Sequence, residues 1–160
     1  MLSPTFIEIG AKKVIGCAIY TSGIKTDFPN IWDVFIKRVK DIPNLVNPTV
    51  TYALEFYGQE FNTEGKWFYM PCVEVGSFDE IPMLMVCKTI PASRYAVFSL
   101  TGGVAGLHDL FMEIYKEWLP HSSFELAFDF DMEVYDERFK GIDNPETVME
   151  VRIPIRDKAV

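Results

Sequence analysis

Leu54-Glu55-Phe56-Tyr57-Gly58-Gln59-Glu60-Phe61 returns 78 positions later as Met132-Glu133-Val134-Tyr135-Asp136-Glu137-Arg138-Phe139. An apolar residue, a glutamate, an apolar residue and a tyrosine recur in one order, followed four residues on by a phenylalanine at matching spacing. Alternation of this kind over four to eight residues is the period of a strand. Two further stretches repeat at a similar offset. Trp32-Asp33-Val34-Phe35 precedes His108-Asp109-Leu110-Phe111 by 76 positions, and Val73-Glu74-Val75 precedes Met149-Glu150-Val151 by the same number. The chain therefore reads as two equivalent halves, about 1–78 and 83–157, within a single domain spanning 1–160.

The segments around these matches fill out each half. Thr5 to Ile9 and Val14 to Thr21 read as strands, and Ser22 to Pro29 as a loop. Ile31, Phe35, Val39 and Ile42 fall on one helical stripe that Asn30 caps. Val50 to Tyr57 and Trp67 to Val75 read as strands joined by a turn-rich Gly58 to Lys66. The second half has strands at Met83 to Ile90 and Arg94 to Leu100, then a helix at Leu107 to Leu119 stopped by Pro120, then strands at Leu126 to Tyr135 and Thr147 to Ile155. Strand, strand, helix, strand, strand appears twice. The fold class is α+β: duplicated strand-helix-strand-strand units forming an antiparallel sheet, two helices on one face and a central ligand groove.

Strand parity selects the residues expected at that groove. Phe130, Met132 and Val134 share an apolar parity, as do Tyr52, Leu54 and Phe56, and these are expected under the helices. Glu55, Tyr57, Phe68, Met70, Glu74, Glu133, Tyr135 and Glu150 are then expected on the helix-free face, with Trp67 at the rim and Asp129 and Asp131 in solvent. Carboxylates interleaved with rings suit a flat cation, the rings stacking and the carboxylates supplying the counter-charge. A half-exposed sheet also has a polar face with no ligand at all. For Glu74 and Glu150, placed symmetrically, the ligand reading is the stronger.

Composition narrows the partners. The chain has 49% hydrophobic residues, enough for a core, and a formal charge of −8, which disfavours direct nucleic-acid binding and favours cations. No apolar run is long enough for a membrane span, and Met1-Leu2-Ser3-Pro4 lacks the basic and apolar regions of a secretory signal, so the expected location is the cytoplasm. Three cysteines, Cys17, Cys72 and Cys87, show no metal spacing and read as small buried hydrophobes. His108 and His121 have no neighbouring ligands or nucleophile, and no phosphate-binding or dinucleotide fingerprint occurs, so neither metal nor cofactor is expected.

Four stretches resemble a known family. Ile90-Pro91-Ala92-Ser93-Arg94-Tyr95-Ala96-Val97-Phe98, Ile114-Tyr115-Lys116-Glu117-Trp118-Leu119-Pro120-His121-Ser122, Phe130-Asp131-Met132-Glu133-Val134-Tyr135 and Met149-Glu150-Val151-Arg152-Ile153-Pro154-Ile155 are similar, in order, to motifs of GyrI-like small-molecule-binding domains. That resemblance implies the effector-binding module of bacterial AraC-type and MerR-type transcription regulators, some of them multidrug-binding, in a stand-alone form with a possible homodimer. It also implies the groove acid at Glu150. As alternatives for this chain the resemblance implies a hydrolase of cyclopropane-containing or other reactive toxins, in which a groove glutamate would position or activate water, and, more weakly, a gyrase-inhibitor-like partner protein. The glycine usual after the Leu-Pro-x-Ser motif is Ser123 here.

Overall fold

Val148–Asp157, the longest strand among the described residues, alternates, and its residues Met149, Val151, Ile153 and Ile155 are almost wholly buried. The computed structural model describes residues 2–159. Its elements in order are β1 (Thr5–Ile9), β2 (Lys12–Gly16), β3 (Ile19–Thr21), α1 (Asp27–Arg38), β4 (Thr51–Phe56), α2 (Gln59–Glu64), β5 (Trp67–Val75), β6 (Val86–Ile90), β7 (Ser93–Thr101), α3 (Leu107–Glu113), α4 (Leu119–His121), β8 (Phe124–Leu126), β9 (Phe130–Tyr135) and β10 (Val148–Asp157). The class is α+β, and the strand pairings within each unit below are antiparallel.

The chain forms two compact units, and their boundaries differ from the expected halves. The inner unit is Gly10–Ala92; the outer unit joins the segment up to Ile9 to the segment from Ser93 onward. β1 belongs to the outer unit because it pairs with β7, Thr5 opposite Val97. β6 belongs to the inner unit because it pairs with β2. In the inner unit the strands run β4-β5-β2-β6 with β3 on β5; in the outer unit they run β1-β7-β10-β9 with β8 on β10.

In the outer unit Ala96, Phe98, Val151, Ile153 and Ile155 pack against Leu110 and Ile114. Burying such side chains contributes about 1.5–3 kcal/mol each. The helix that supplies Leu110 and Ile114 continues beyond Glu113 as a π-helical stretch, Ile114–Trp118, and stays helical to His121. Pro120 therefore does not stop it directly. The wide π turn ahead of Pro120 accommodates a residue that donates no N–H and crowds the preceding turn. The helix end is closed by Lys158, whose Nζ donates to the carbonyls of Pro120 at 2.9 Å and Ser122 at 2.8 Å.

In the inner unit α1 begins at Asp27, four residues before the expected Ile31, and takes in Pro29, which its first turn tolerates because N–H groups there have no partner. Asp27 at the start and Lys37 and Arg38 at the end suit the helix dipole. The stretch Gly58 to Lys66 is not all turn: Gln59–Glu64 is helical and closes on Gly65 in the left-handed conformation. The expected strands Val14 to Thr21 and Leu126 to Tyr135 are each interrupted, and Met83 to Met85 lie outside β6. Cys17 and Cys72 are buried, whereas Cys87 is exposed on β6, contrary to expectation. No helix among the described residues is long and apolar enough to cross a membrane.

Candidate functional site

The registers decide which side chains share a face. On β9 and β10, Glu133 lies opposite Val151, and Val151 packs under Leu110 and Ile114. Asp131, Glu133 and Tyr135 therefore occupy the helix-bearing face, while Met132 and Val134 share the other face with Glu150 and Arg152. Tyr115 of the π-helical stretch confirms the side, donating its hydroxyl to Asp131 Oδ2 at 2.7 Å. In the inner unit Glu55 lies opposite Tyr69, whose hydroxyl accepts a hydrogen bond from Trp32 Nε1 of α1 at 2.9 Å. Glu55 thus also faces its helix. Leu54 and Phe56 lie opposite Met70 and Phe68 on the other side, with Glu74.

The expected helix-free set is therefore split. Glu55, Tyr57, Glu133 and Tyr135 go to the helix-bearing faces with Trp67, and Phe68, Met70, Glu74 and Glu150 to the opposite ones. The more apolar parity does not mark the helix side here, because both faces are largely buried: Leu54, Met70, Met132 and Val134 have almost no exposure although they point away from the face of Tyr69 and Val151. Asp131, expected in solvent, is 0% exposed. The match of Glu74 with Glu150 fails too. If Glu55 corresponds to Glu133, then Tyr69 corresponds to Val151, an offset of 151 − 69 = 82, and Phe68 rather than Glu74 falls at the place of Glu150.

Each unit nevertheless builds the same local device, a buried glutamate held by the tyrosine two residues on. In the outer unit Glu133 is 2% exposed and accepts from Tyr135 Oη at 2.5 Å; the Tyr135 ring meets Phe139 nearly perpendicular at 4.9 Å. In the inner unit Glu55 is 8% exposed and accepts from Tyr57 Oη at 3.3 Å; the Tyr57 ring meets Phe61 at 4.8 Å. Side chains two apart on a strand share a face, which brings the hydroxyl to the carboxylate. A carboxylate taken out of water needs such donors or a positive charge.

The surroundings differ. In the inner unit the rings continue: Phe61 stands edge-on to Trp67 at 5.9 Å, Phe28 lies 6.3 Å from Trp67, and Phe28 meets Tyr69 edge-on at 4.9 Å. In the outer unit the turn after Tyr135 carries Arg138, which donates to Asp136 and to Glu150 Oε1 at 2.6 Å, while Arg152 Nη2 holds Glu150 Oε2 at 2.7 Å. Burial pushes the Glu150 carboxyl up, but hydrogen bonds and charge from Arg138 and Arg152 outweigh it and hold the carboxyl below its ordinary value. Its charge is compensated within the chain. Glu74 is likewise paired, with Lys12 at 2.7 Å.

Sequence reading missed Phe28, Trp32 and Tyr69 of the ring cluster and the arginine pair on Glu150. Phe61 and Phe139 were visible as the last matched residues of the opening repeat. Arg152 and Tyr69 share a strand face with Glu150 and Trp67, two residues away, so their period-2 spacing was the available signal; Phe28, Trp32 and Arg138 come from other segments and left no local one.

Against known proteins, residues 5–155 match the family model Cass2, described as integron-associated effector binding protein. The transcriptional regulator BrlR of Pseudomonas aeruginosa is 30% identical over 149 residues, covering 93% of this chain and 54% of BrlR, so the chain spans about half the length of that relative. The fold is similar to that of SAV2435 bound to tetraphenylphosphonium, with a TM-score of 0.74 and 15% identity over 97% of this chain and 94% of that one. An integron cassette protein from the mobile metagenome of Vibrio cholerae has a TM-score of 0.65 at 20% identity, with 95% of each chain covered.

Proposed function

Because this chain belongs to the family of integron-associated effector binding proteins, we propose that it is a cytoplasmic effector-binding domain for a small, aromatic, positively charged organic molecule. The observation that carries this reading is the buried glutamate with its tyrosine and phenylalanine, built once in each unit at Glu55 and at Glu133. Rings attract a flat or aryl-substituted cation through their faces, and a shielded carboxylate is worth more against a cation than one in water. The likeness to a fold that holds tetraphenylphosphonium supports the same class of ligand. A regulator relative supports the role of a sensing module, whose readout would lie with another segment or protein. Glu150, expected as the groove acid, is a weaker choice because two arginines already neutralise it.

The test is calorimetric titration with tetraphenylphosphonium and with tetraphenylborate, ions of one shape and opposite charge. The cation should bind at least about tenfold more tightly, corresponding to about 1.4 kcal/mol. Glu55→Gln or Glu133→Gln should weaken the cation by a similar factor, and Glu150→Gln should leave it nearly unchanged. Equal affinity for both ions would overturn the reading.

A further inference from the structure

The ring cluster of the inner unit contains two indoles in contrasting states. Trp32 Nε1 donates to Tyr69 Oη at 2.9 Å. Trp67 Nε1 is buried and has no hydrogen-bond partner among the described residues. An indole N–H can only donate, and buried donors are almost always met, so an unmet one requires a reason.

The seat of Trp67 is closely fixed. Its backbone is set by pairing with Thr21 at the start of β5. Gly23, with φ +83°, lets the chain pass the ring; a Cβ there would come within 3.0 Å of its Cη2. Phe28 and Phe61 stand on the ring at 6.3 and 5.9 Å. Phe61 is 42% exposed and comes from the short α2, so one of the residues covering Trp67 faces solvent. The cluster thus holds a donor ready-placed beside the rings and on the same face as Glu55, with nothing among the described residues to receive it.

We propose that Trp67 Nε1 is a ligand-recognising donor, and that the molecule bound by the inner unit carries a hydrogen-bond acceptor, such as an ether, carbonyl or ring nitrogen, in addition to its positive charge. This rests on the effector-binding reading above and adds a selectivity to it. A site with a buried donor discriminates strongly against an analogue that lacks the acceptor, because the donor then stays unmet in the complex.

Two permanent cations of nearly one shape test it: butyltriphenylphosphonium, and (2-methoxyethyl)triphenylphosphonium, in which an ether oxygen replaces one methylene. The protein is labelled with 15N at its tryptophan indoles, and the Trp67 signal is assigned by its loss in Trp67→Phe, or by exclusion in Trp32→Phe and Trp118→Phe. The ether cation should bind about fivefold more tightly or better, and should move the Trp67 N–H signal downfield while the butyl cation does not. In Trp67→Phe the preference between the two should vanish. If both bind equally and the signal stays in place, as it would with the N–H resting on the Phe61 ring, the inference is overturned and the cation reading stands. If neither binds, both fall.

Discussion

The strand of Glu55 and the strand of Glu133 share a glutamate and a tyrosine two residues on, and fold into different company. Both tether a buried glutamate to a tyrosine two residues on and pack that tyrosine on a phenylalanine. The inner version then opens onto rings, with Phe61, Trp67, Phe28 and Tyr69 in a row of contacts. In the outer version the same turn carries Arg138 into an ion network with Asp136, Glu150 and Arg152. Gly58-Gln59-Glu60 against Asp136-Glu137-Arg138 is the sequence difference that accompanies this. The inner turn runs into the helix Gln59–Glu64, which brings Phe61 edge-on to Trp67, whereas Asp136 receives the backbone N–H and guanidinium of Arg138 and pins the outer turn. A recurring glutamate–tyrosine pair thus stands among rings in one unit and beside an ion network in the other.

The largest expected effect separates the strands beneath the two devices. Gly16 of β2 lies against β5 so closely that a Cβ would stand 2.0 Å from the Pro71 carbonyl oxygen. Gly16→Ala should destabilise the protein by about 3 kcal/mol, at the upper end of overpacking costs, while Ser99→Ala, at an exposed position of β7, should change stability by less than about 0.5 kcal/mol. Urea unfolding of both variants checks this, and similar midpoints would show that β2 can move away from β5.

Next come the two tyrosines. Tyr135→Phe removes a short bond to a carboxylate with almost no exposure and should cost about 1–2 kcal/mol; Tyr57→Phe removes a 3.3 Å bond and should cost about 0.5 kcal/mol. Thermal unfolding that ranked them the other way would reverse the view of the outer device as the rigid one.

The smallest effect concerns the ion network and its pH dependence. Glu150→Gln should cost about 1 kcal/mol at neutral pH, modest because Arg138 is half exposed and water screens it; Glu74→Gln should cost less, having one cationic partner. The Glu150 carboxyl is held below its ordinary value, so its contribution is present above that value and is lost as pH falls through the lower, folded one. The difference between wild type and Glu150→Gln should therefore shrink in acid. A difference that persisted undiminished to pH 2 would place its origin outside the charge of Glu150.

What the sequence made legible is local. The period of two in Leu54 to Tyr57 and Met132 to Tyr135, and the helical stripe Ile31 and Phe35, were enough for the α+β class, because period and turn residues act within a few positions. The facing of Glu133 was not legible. Phe130, Met132 and Val134 are the apolar parity of β9, and only the pairing of Glu133 with Val151 shows that they turn away from Leu110 and Ile114. Hydrophobicity distinguishes a buried face from a wet one and cannot choose between two buried faces. Nor could it show that the matched trios at Glu74 and Glu150 sit at different places along their strands, since register is a property of the pair.

The placement of β1 has a consequence for a chain made in one direction. Gly10–Ala92 is an unbroken stretch, and every pairing described for its strands is available once Ala92 has left the ribosome. Thr5 to Ile9 are synthesised before all of it, yet their partners are Ser93 to Val97. Throughout synthesis of the inner unit the first strand is an open edge with a partner not yet made, and β7, the next strand in line, closes it within five residues of that unit's completion. Order of synthesis and order of pairing are thus inverted for β1, which is made before the inner unit and paired after it.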